Sequence, residues 1–582
     1  MKADSEQKMK KQSVAKGFTI LGAASMLNKA LSIVYVPLLT LMIGDVGNGI
    51  ANAGYTVYLL IYQVTYMGIP VALSKMVSEQ IALGRYHDSL RTLRIATMLL
   101  FAIGAALGGG MALGAGWIAR LVGRPESGLT LLALSPTVLV ASLSASFRGY
   151  FQGRHNMVPT SVSQIVEQLA NTAFTLAFAW WFIGIGREHA VSVAHLTDPE
   201  MIRLYSLQFG AAGSGLGTTA GAVFSAGYLL LMFLRKQGDI RGEAAAEDHS
   251  NLARGRAKLK AQALAGQLVG QIIRYAAPIT LGAVIVYSAN LVDLKFTNQR
   301  LEAGGFSATE ATALYGILTT QYGKIINVPL ALANTLAVVM LPGISGTAAL
   351  NDRQALHEKI GGGLRAVLLI TLPAAALMAA LAEPVIRLLF PSNVYGMDLM
   401  QLGSWVIVLM ALVQTQTSVL QGMGRMQLPV VHMAVALVVK IVVNYTLIGI
   451  PEINVKGAVA GSALCYGVAA VWNYISIKRI SGYRANWGKL LLPPLLASAA
   501  LAASAWGVWF GLEAALRHII ASGYARNLIS TLPAFFVGGM AYAVVLVLLK
   551  GVRREEMLRV PLLGRVIGRK RLEKLLDKFR IS

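Results

Sequence analysis

Apolar runs of roughly spanning length, separated by short polar or Gly- and Pro-bearing turns, fill most of this chain. A helix of about 20 apolar residues crosses a hydrocarbon core of roughly 30 Å and satisfies its own backbone hydrogen bonds in lipid. About fourteen such helices are predicted, over 17–43, 51–74, 93–119, 129–152, 160–186, 203–234, 273–294, 313–341, 363–386, 399–421, 428–450, 456–477, 489–511 and 527–550. The alternation of a membrane β-barrel is absent. The expected fold class is therefore all-α, a polytopic membrane protein.

The main polar interruption runs from Arg235 to Ile272 and carries Arg241, Arg254, Arg256, Lys258 and Lys260. It reads as a cytoplasmic linker, partly helical, between two groups of six spans. The expected organisation is a basic cytoplasmic tail over 1–16, an N-lobe over 17–234, the linker over 235–272, a C-lobe over 273–477, two further spans over 478–550 and a basic tail over 551–582. An internal repeat supports two pseudo-symmetric lobes. Gly149-Tyr150-Phe151-Gln152-Gly153-Arg154 with Pro159 is echoed about 270 residues later by Gln421-Gly422-Met423-Gly424-Arg425 with Pro429. Gly68-Ile69-Pro70 pairs with Met340-Leu341-Pro342-Gly343, and Asn171 with Asn444, at nearly the same offset. Six spans separate each pair, and six is even, so the halves share one orientation and an axis along the membrane normal.

Composition agrees with the pattern: the chain is 55% hydrophobic and 13% charged, with a mean hydropathy of +0.60. The net charge of +24 raises nucleic acid as a partner, but its distribution excludes that reading. With the N-terminus inside, most Lys and Arg fall in cytoplasmic segments, the positive-inside asymmetry of a plasma-membrane protein with both termini cytoplasmic. Anionic membrane lipids are the partners this charge implies. The tail after Gly551 interleaves Arg553, Arg565, Lys574 and other cations with Val566, Leu572, Leu576 and Phe579, the pattern of an amphipathic helix on the inner leaflet. Cys465 is the single cysteine, so no intramolecular disulfide or Cys-based metal site forms. The first apolar run is too long for a signal-peptide core and is expected to stay as the first span.

Charges inside the spans are few and concentrate at Lys29, Lys324 and Lys440. A charge at bilayer depth costs a few kcal/mol or more, so it faces a protein interior or a wet cavity and marks a functional pathway. Lys29 follows Asn28 about twelve residues into the first span; Lys324 sits in a polar patch with Gln321, Tyr322 and Asn327 in the eighth; Lys440 shares a helical face with Asn444 in the eleventh. Candidate acids are Glu167, beside Gln164 and Gln168, and Asp293, beside Asn290. These offer the alternative in which a lysine is one half of a structural ion pair. Arg148, before the Gly-Tyr-Phe-Gln-Gly exit of the fourth span, is a candidate for a headgroup phosphate or an interfacial anchor.

The eight His residues, among them His87, His155, His189, His195 and His249, lie mostly in loops, and no His-Glu-x-x-His, Asp-x-Asp, P-loop or Rossmann pattern occurs. No metal site and no cofactor are expected, a coupling ion of unassigned identity aside; the expected role is transport without hydrolysis, not enzymatic catalysis. Cations exceed acids in the spans, which favours an anionic cargo such as a diphosphate.

The strings Gly68-Ile69-Pro70-Val71-Ala72-Leu73-Ser74-Lys75-Met76-Val77-Ser78-Glu79, Phe147-Arg148-Gly149-Tyr150-Phe151-Gln152-Gly153, Asn156-Met157-Val158-Pro159-Thr160 and Ser163-Gln164-Ile165-Val166-Glu167-Gln168 resemble polysaccharide biosynthesis proteins of the stage V sporulation protein B type. Lys440-Ile441-Val442-Val443-Asn444-Tyr445 and Leu447-Ile448-Gly449-Ile450-Pro451 agree in the second half. That family is part of the multidrug/oligosaccharidyl-lipid/polysaccharide exporter superfamily, whose MurJ branch flips the peptidoglycan precursor lipid II. The resemblance implies two six-helix lobes around a cavity, alternating access, and two C-terminal helices that guide a lipid tail. It implies an undecaprenyl-diphosphate-linked saccharide as substrate and cell-wall synthesis enzymes as partners. It also implies cavity roles for Lys324, in Lys324-Ile325-Ile326-Asn327-Val328-Pro329, and for Lys29, each where the lipid II flippases carry Arg. The chain departs from them at Tyr35 and around Leu59 to Gln63, where basic residues are missing, so the implied cargo is a lipid-linked sugar generally. The alternatives are a cation-coupled multidrug and toxin extruder of the same superfamily, which needs only twelve spans, and a membrane polysaccharide polymerase or ligase, which needs a larger external loop than 187–202.

Overall fold

The computed structural model describes residues 2–154, 156–236, 238, 265–549 and 551. Most of the expected linker, the amphipathic tail beyond Gly551, and His155 and His249 lie outside the described residues. Those described are helical with no strand, as the apolar pattern requires: α1 (Lys2–Tyr66), α2 (Gly68–Ala82), α3 (Tyr86–Leu113), α4 (Ala115–Leu121), α5 (Gly128–Gly153), α6 (Val158–Ser192), α7 (Pro199–Arg235), α8 (Ala265–Ala303), α9 (Ala308–Ile317), α10 (Lys324–Ala349), α11 (Arg353–Ala380), α12 (Ala382–Leu389), α13 (Gly396–Gly403), α14 (Val406–Gly422), α15 (Gln427–Leu447), α16 (Lys456–Ser481), α17 (Trp487–Leu516) and α18 (Gly523–Leu548).

Among the described residues, eleven helical runs are long and apolar enough to cross a membrane, or twelve if the bent pair α13–α14 counts as one span. Three features of the described helices depart from the fourteen separate spans read from hydropathy. The first two expected spans lie in one helical run, Leu27–Ile81, because no polar loop separates them. The chain turns instead at Gly44, whose φ of 64° and ψ of −174° only glycine adopts easily. The eighth expected span is interrupted: α9 leads through a π-helical turn, Leu318–Gly323, into α10. The tenth is bent by 49° between α13 and α14.

The chain divides into two compact units, Met1–Thr320 with Leu437–Ala458, and Gln321–Ala436 with Val459–Ser582. In the first unit α6 and α7 lie side by side, α5 packs on α7, and α8 packs on α1, α2 and α3. The α6–α7 approach is set by small residues on α7: a Cβ at Gly213 would lie 2.4 Å from the Phe178 carbonyl oxygen, and one at Gly217 would lie 2.3 Å from the Thr175 backbone nitrogen. Helices in lipid have no hydrophobic drive to associate, so such backbone contact supplies much of the packing energy.

Ser307 and Glu310 form a reciprocal capping box at the start of α9. Hydrogen bonds from the Ser307 backbone and side chain hold the Glu310 carboxyl below its ordinary range. A depressed folded pKa means the cap is fully present above the usual glutamate range and is lost as pH falls through the depressed value. The hydrogen-exchange protection of residues 308–311, relative to the intrinsic rate at each pH, is expected to fall on acidification, and to be low already at neutral pH in Ser307→Ala.

In the second unit α10 packs on α11 and α14, and α17 packs on α18 and α11. The two C-terminal helices are docked by polar bonds as well as apolar contact. Trp509 Nε1 donates to Asn527 Oδ1 (3.1 Å) and Asn527 Nδ2 donates to the Pro384 carbonyl (2.9 Å). The Tyr542 hydroxyl donates to the Leu369 carbonyl (2.9 Å), and Arg365 donates to the Gly551 carbonyl (2.6 Å).

Candidate functional site

Each expected site residue falls into one of four settings. Asn28 and Lys29 lie half-buried in α1, before the turn at Gly44. The Ser32 hydroxyl donates to the Asn28 backbone carbonyl (3.0 Å), while the Asn28 side-chain oxygen is buried without a hydrogen bond to the described residues.

The second setting is the π-helical turn before α10. A π turn inserts one residue into the helical register and is frequent at functional sites. Gln321 is fully buried and accepts at Oε1 from the Gly396 backbone N–H (3.0 Å), while the Tyr322 hydroxyl donates to the Gly403 carbonyl (3.1 Å). Both bonds fix α13 against the turn and so position Lys324, half-buried in the first turn of α10. Asn327, one turn on, is exposed, and its Nδ2 donates to the Gly323 carbonyl (2.7 Å).

The third setting is a buried guanidinium. Arg148 on α5 is 4% exposed and meets α1, α6 and α7 at once. It donates to Glu167 Oε2 (2.6 Å), Ser163 Oγ (3.1 Å), Ser225 Oγ (2.9 Å) and the Tyr66 hydroxyl (3.2 Å). The rigid fork of arginine donors is suited to several acceptors in one plane, and here it joins four helices around one charge pair.

The fourth setting pairs the remaining lysine. Lys440, 2% exposed, places its ammonium 2.7 Å from Asp293 Oδ2 on α8, and Asn444 Nδ2 donates to Asp293 Oδ1 (2.7 Å). The shared helical face of Lys440 and Asn444 thus converges on one acid, the ion-pair alternative drawn from sequence. Arg300 strengthens the same α8–α15 junction by donating to the Tyr445 carbonyl (2.9 Å), with its guanidinium 4.3 Å from that ring centre.

Lys29 belongs to the first unit and Lys324 to the second; Arg148 with Glu167, and Lys440 with Asp293 and Asn444, are each brought together within the first. Sequence reading missed Tyr66, Ser163 and Ser225 as partners of Arg148. It also missed Arg124, 1% exposed, whose Nη1 donates to the Ala308 carbonyl (3.0 Å) and lies 3.8 Å from Glu302. Tyr55, Tyr58, Tyr62 and Tyr66 recur at helical spacing, a legible signal; the two serines are single polar positions that no pattern marks. Among the described residues no group of three or more His, Cys, Asp or Glu is placed to hold a metal ion.

A multi-pass all-helical chain with broken spans and paired intramembrane charges is a membrane transporter in architecture, and the comparisons with known proteins agree. Residues 14–196 match the polysaccharide biosynthesis protein family and residues 303–446 match the MatE family. Both matches point the same way: the chain is similar to flippase-like transporters of the multidrug/oligosaccharidyl-lipid/polysaccharide exporter superfamily. It is similar to the lipid II flippase MurJ of Bacillus subtilis (strain 168), 24% identical over 80% of this chain and 83% of that one. It is also similar to stage V sporulation protein B of the same organism, 23% identical over 96% of this chain and 100% of the relative. Among solved structures, the lipid II flippase MurJ in an inward closed conformation has the same fold, with a TM-score of 0.60 at 13% identity, over 90% of this chain and 98% of that one.

Proposed function

We propose that this protein flips an undecaprenyl-diphosphate-linked saccharide, a cell-wall precursor or another lipid-linked oligosaccharide, from the inner to the outer leaflet by alternating access. The observation that carries the reading is Lys324, a cation held half-buried at a π turn inside an apolar span, together with the similarity to a relative named for flipping lipid II. Lys29 and Lys324 are the cations offered to the diphosphate, while Asn28, Gln321 and Asn327 supply polar surroundings. In this reading the two lobes seen as a sequence repeat rock to change the side on which the substrate is held. Bound substrate shifts that equilibrium only through differential affinity for the two states. An apolar groove of about 540 Å³, bordered by Ala376 and Ala380 of α11, Trp405 at the α13–α14 bend and Leu495, Ala499 and Ala503 of α17, suits a prenyl chain. Both termini are cytoplasmic in this reading, and cell-wall synthesis enzymes receive the product.

Lys324→Ala and Lys29→Ala are each expected to slow outward flipping of lipid-linked precursors about tenfold or more, since a hydrogen bond to a charged group contributes about 1.5–3 kcal/mol. The measurement is exposure of the precursor on the outer leaflet after depletion of the protein and complementation with each variant. The match of residues 303–446 to the MatE family keeps a second reading, cation-coupled drug extrusion. Unchanged precursor flipping with a loss of cationic-dye efflux would favour it and end the first.

A further inference from the structure

The second arm of α1 carries a ladder of tyrosine rings that none of these roles uses. Tyr55 and Tyr58 have ring centres 5.5 Å apart, Tyr58 and Tyr62 5.5 Å, and Tyr62 and Tyr66 4.6 Å with planes inclined by 22°. From Tyr55 to Tyr66 the ladder spans about 17 Å at 1.5 Å per residue, more than half of a bilayer core of roughly 30 Å. Tyr58 is buried, whereas Tyr55, Tyr62 and Tyr66 are half-buried, so these three rings keep accessible surface.

That surface faces something polar. The ladder ends where the Tyr66 hydroxyl meets Arg148, whose partner Glu167 keeps 34% of its side chain exposed. A carboxylate that exposed does not face hydrocarbon, because a charge in lipid is too costly; it faces a wet interior. Close to this end in sequence, the buried side-chain oxygens of Gln63, between the last two rungs, and of Gln164, one turn before Glu167, make no hydrogen bond to the described residues. Buried polar groups are nearly always bonded, so these enclosed oxygens suit a small donor such as water, while the exposed part of the Glu167 carboxylate is what a ligand reaches.

We infer that the Tyr55–Tyr66 ladder is a saccharide-binding rail, on which the sugar part of the substrate stacks while its hydroxyls bond Glu167. This deepens the flippase reading and rests on it. Ring faces with few competing charges suit the C–H faces of a neutral sugar. Tyrosine faces also attract organic cations, but the acid at the ladder, Glu167, is bonded to Arg148 at 2.6 Å. The rail therefore carries no net negative charge to hold a cation. It separates two tasks, with lysines for the diphosphate and tyrosines for the sugar.

The test uses the full chain in lipid nanodiscs and two probes: undecaprenyl diphosphate bearing a disaccharide, and the same lipid without sugar. The native protein is expected to bind the sugar-bearing probe at least about tenfold more tightly. Tyr62→Leu and Tyr55→Leu are each expected to cut that preference about three- to tenfold, the scale of one aromatic contact, leaving affinity for the bare lipid unchanged. Tyr62→Phe, which keeps the ring, retains most of the preference and controls for folding. If the native protein binds both probes equally, or the leucine variants weaken both alike, the rail is overturned while the flippase reading stands. If the native protein binds neither probe, both fall. Loss of tetraphenylphosphonium binding in Tyr62→Leu, with the sugar preference intact, overturns the rail in favour of a cation site.

Discussion

Replacing Lys440 by methionine is expected to destabilise the protein by about 3–5 kcal/mol, the usual result of removing one partner of a buried ion pair. The ammonium is 2% exposed and 2.7 Å from Asp293. Without it the carboxylate is left to the Asn444 amide at 2.7 Å, a neutral donor that cannot balance its charge at the junction of α8 and α15. The pair as a whole need not be so valuable, because desolvating two charges offsets most of their attraction. The double variant Lys440→Met with Asp293→Leu is therefore expected to recover most of the loss, a coupling that separates an unpaired charge from lost packing. Cys465 provides the readout: it is the only cysteine in the sequence and is buried, so a thiol-reactive dye reports unfolding on heating. A single variant as stable as the native protein would mean that Lys440 is not needed as a counter-ion.

Gly217→Leu is expected to prevent accumulation of folded protein, and Gly217→Ala to cost at least about 2–3 kcal/mol, the upper end of ordinary overpacking. A Cβ there would lie 2.3 Å from the Thr175 backbone nitrogen and 2.4 Å from its Cα. Backbone cannot rotate away as a side-chain tip can, so α6 and α7 must separate. Separation also strains the Thr175 hydroxyl, which bonds Asn171 Oδ1 (2.9 Å) and the Ser214 carbonyl (3.3 Å). Gly227, where a Cβ would meet nothing within 4 Å, is the matched control: Gly227→Ala is expected to behave as the native protein. Yield of monodisperse protein by size-exclusion chromatography, with the Cys465 melting profile, distinguishes these outcomes.

The helices were largely legible in the sequence because a span in lipid must satisfy its own backbone, and only a long apolar run can do so. Expected spans such as 203–234 and 489–511 fall within α7 (Pro199–Arg235) and α17 (Trp487–Leu516). Breaks inside a run were not legible: hydropathy is blind to the φ of Gly44, to the π turn at Leu318–Gly323 and to the 49° bend before α14. None of these changes how apolar the run is.

The intramembrane charges divide along the same line. Sequence alone determined that Lys29, Lys324, Lys440, Arg148, Glu167 and Asp293 sit in or beside apolar spans, because burying a charge is costly wherever it occurs. It also determined that Lys440 and Asn444 share a face, because they are four residues apart on one helix. Only the tertiary structure decided that their common partner is Asp293, and that Arg148 closes on Glu167, Ser163, Ser225 and Tyr66. Those partners lie 15 to 151 residues away along the chain, and no local spacing encodes which helices meet. Side-chain periodicity sets what one helix presents; packing among helices sets what answers it.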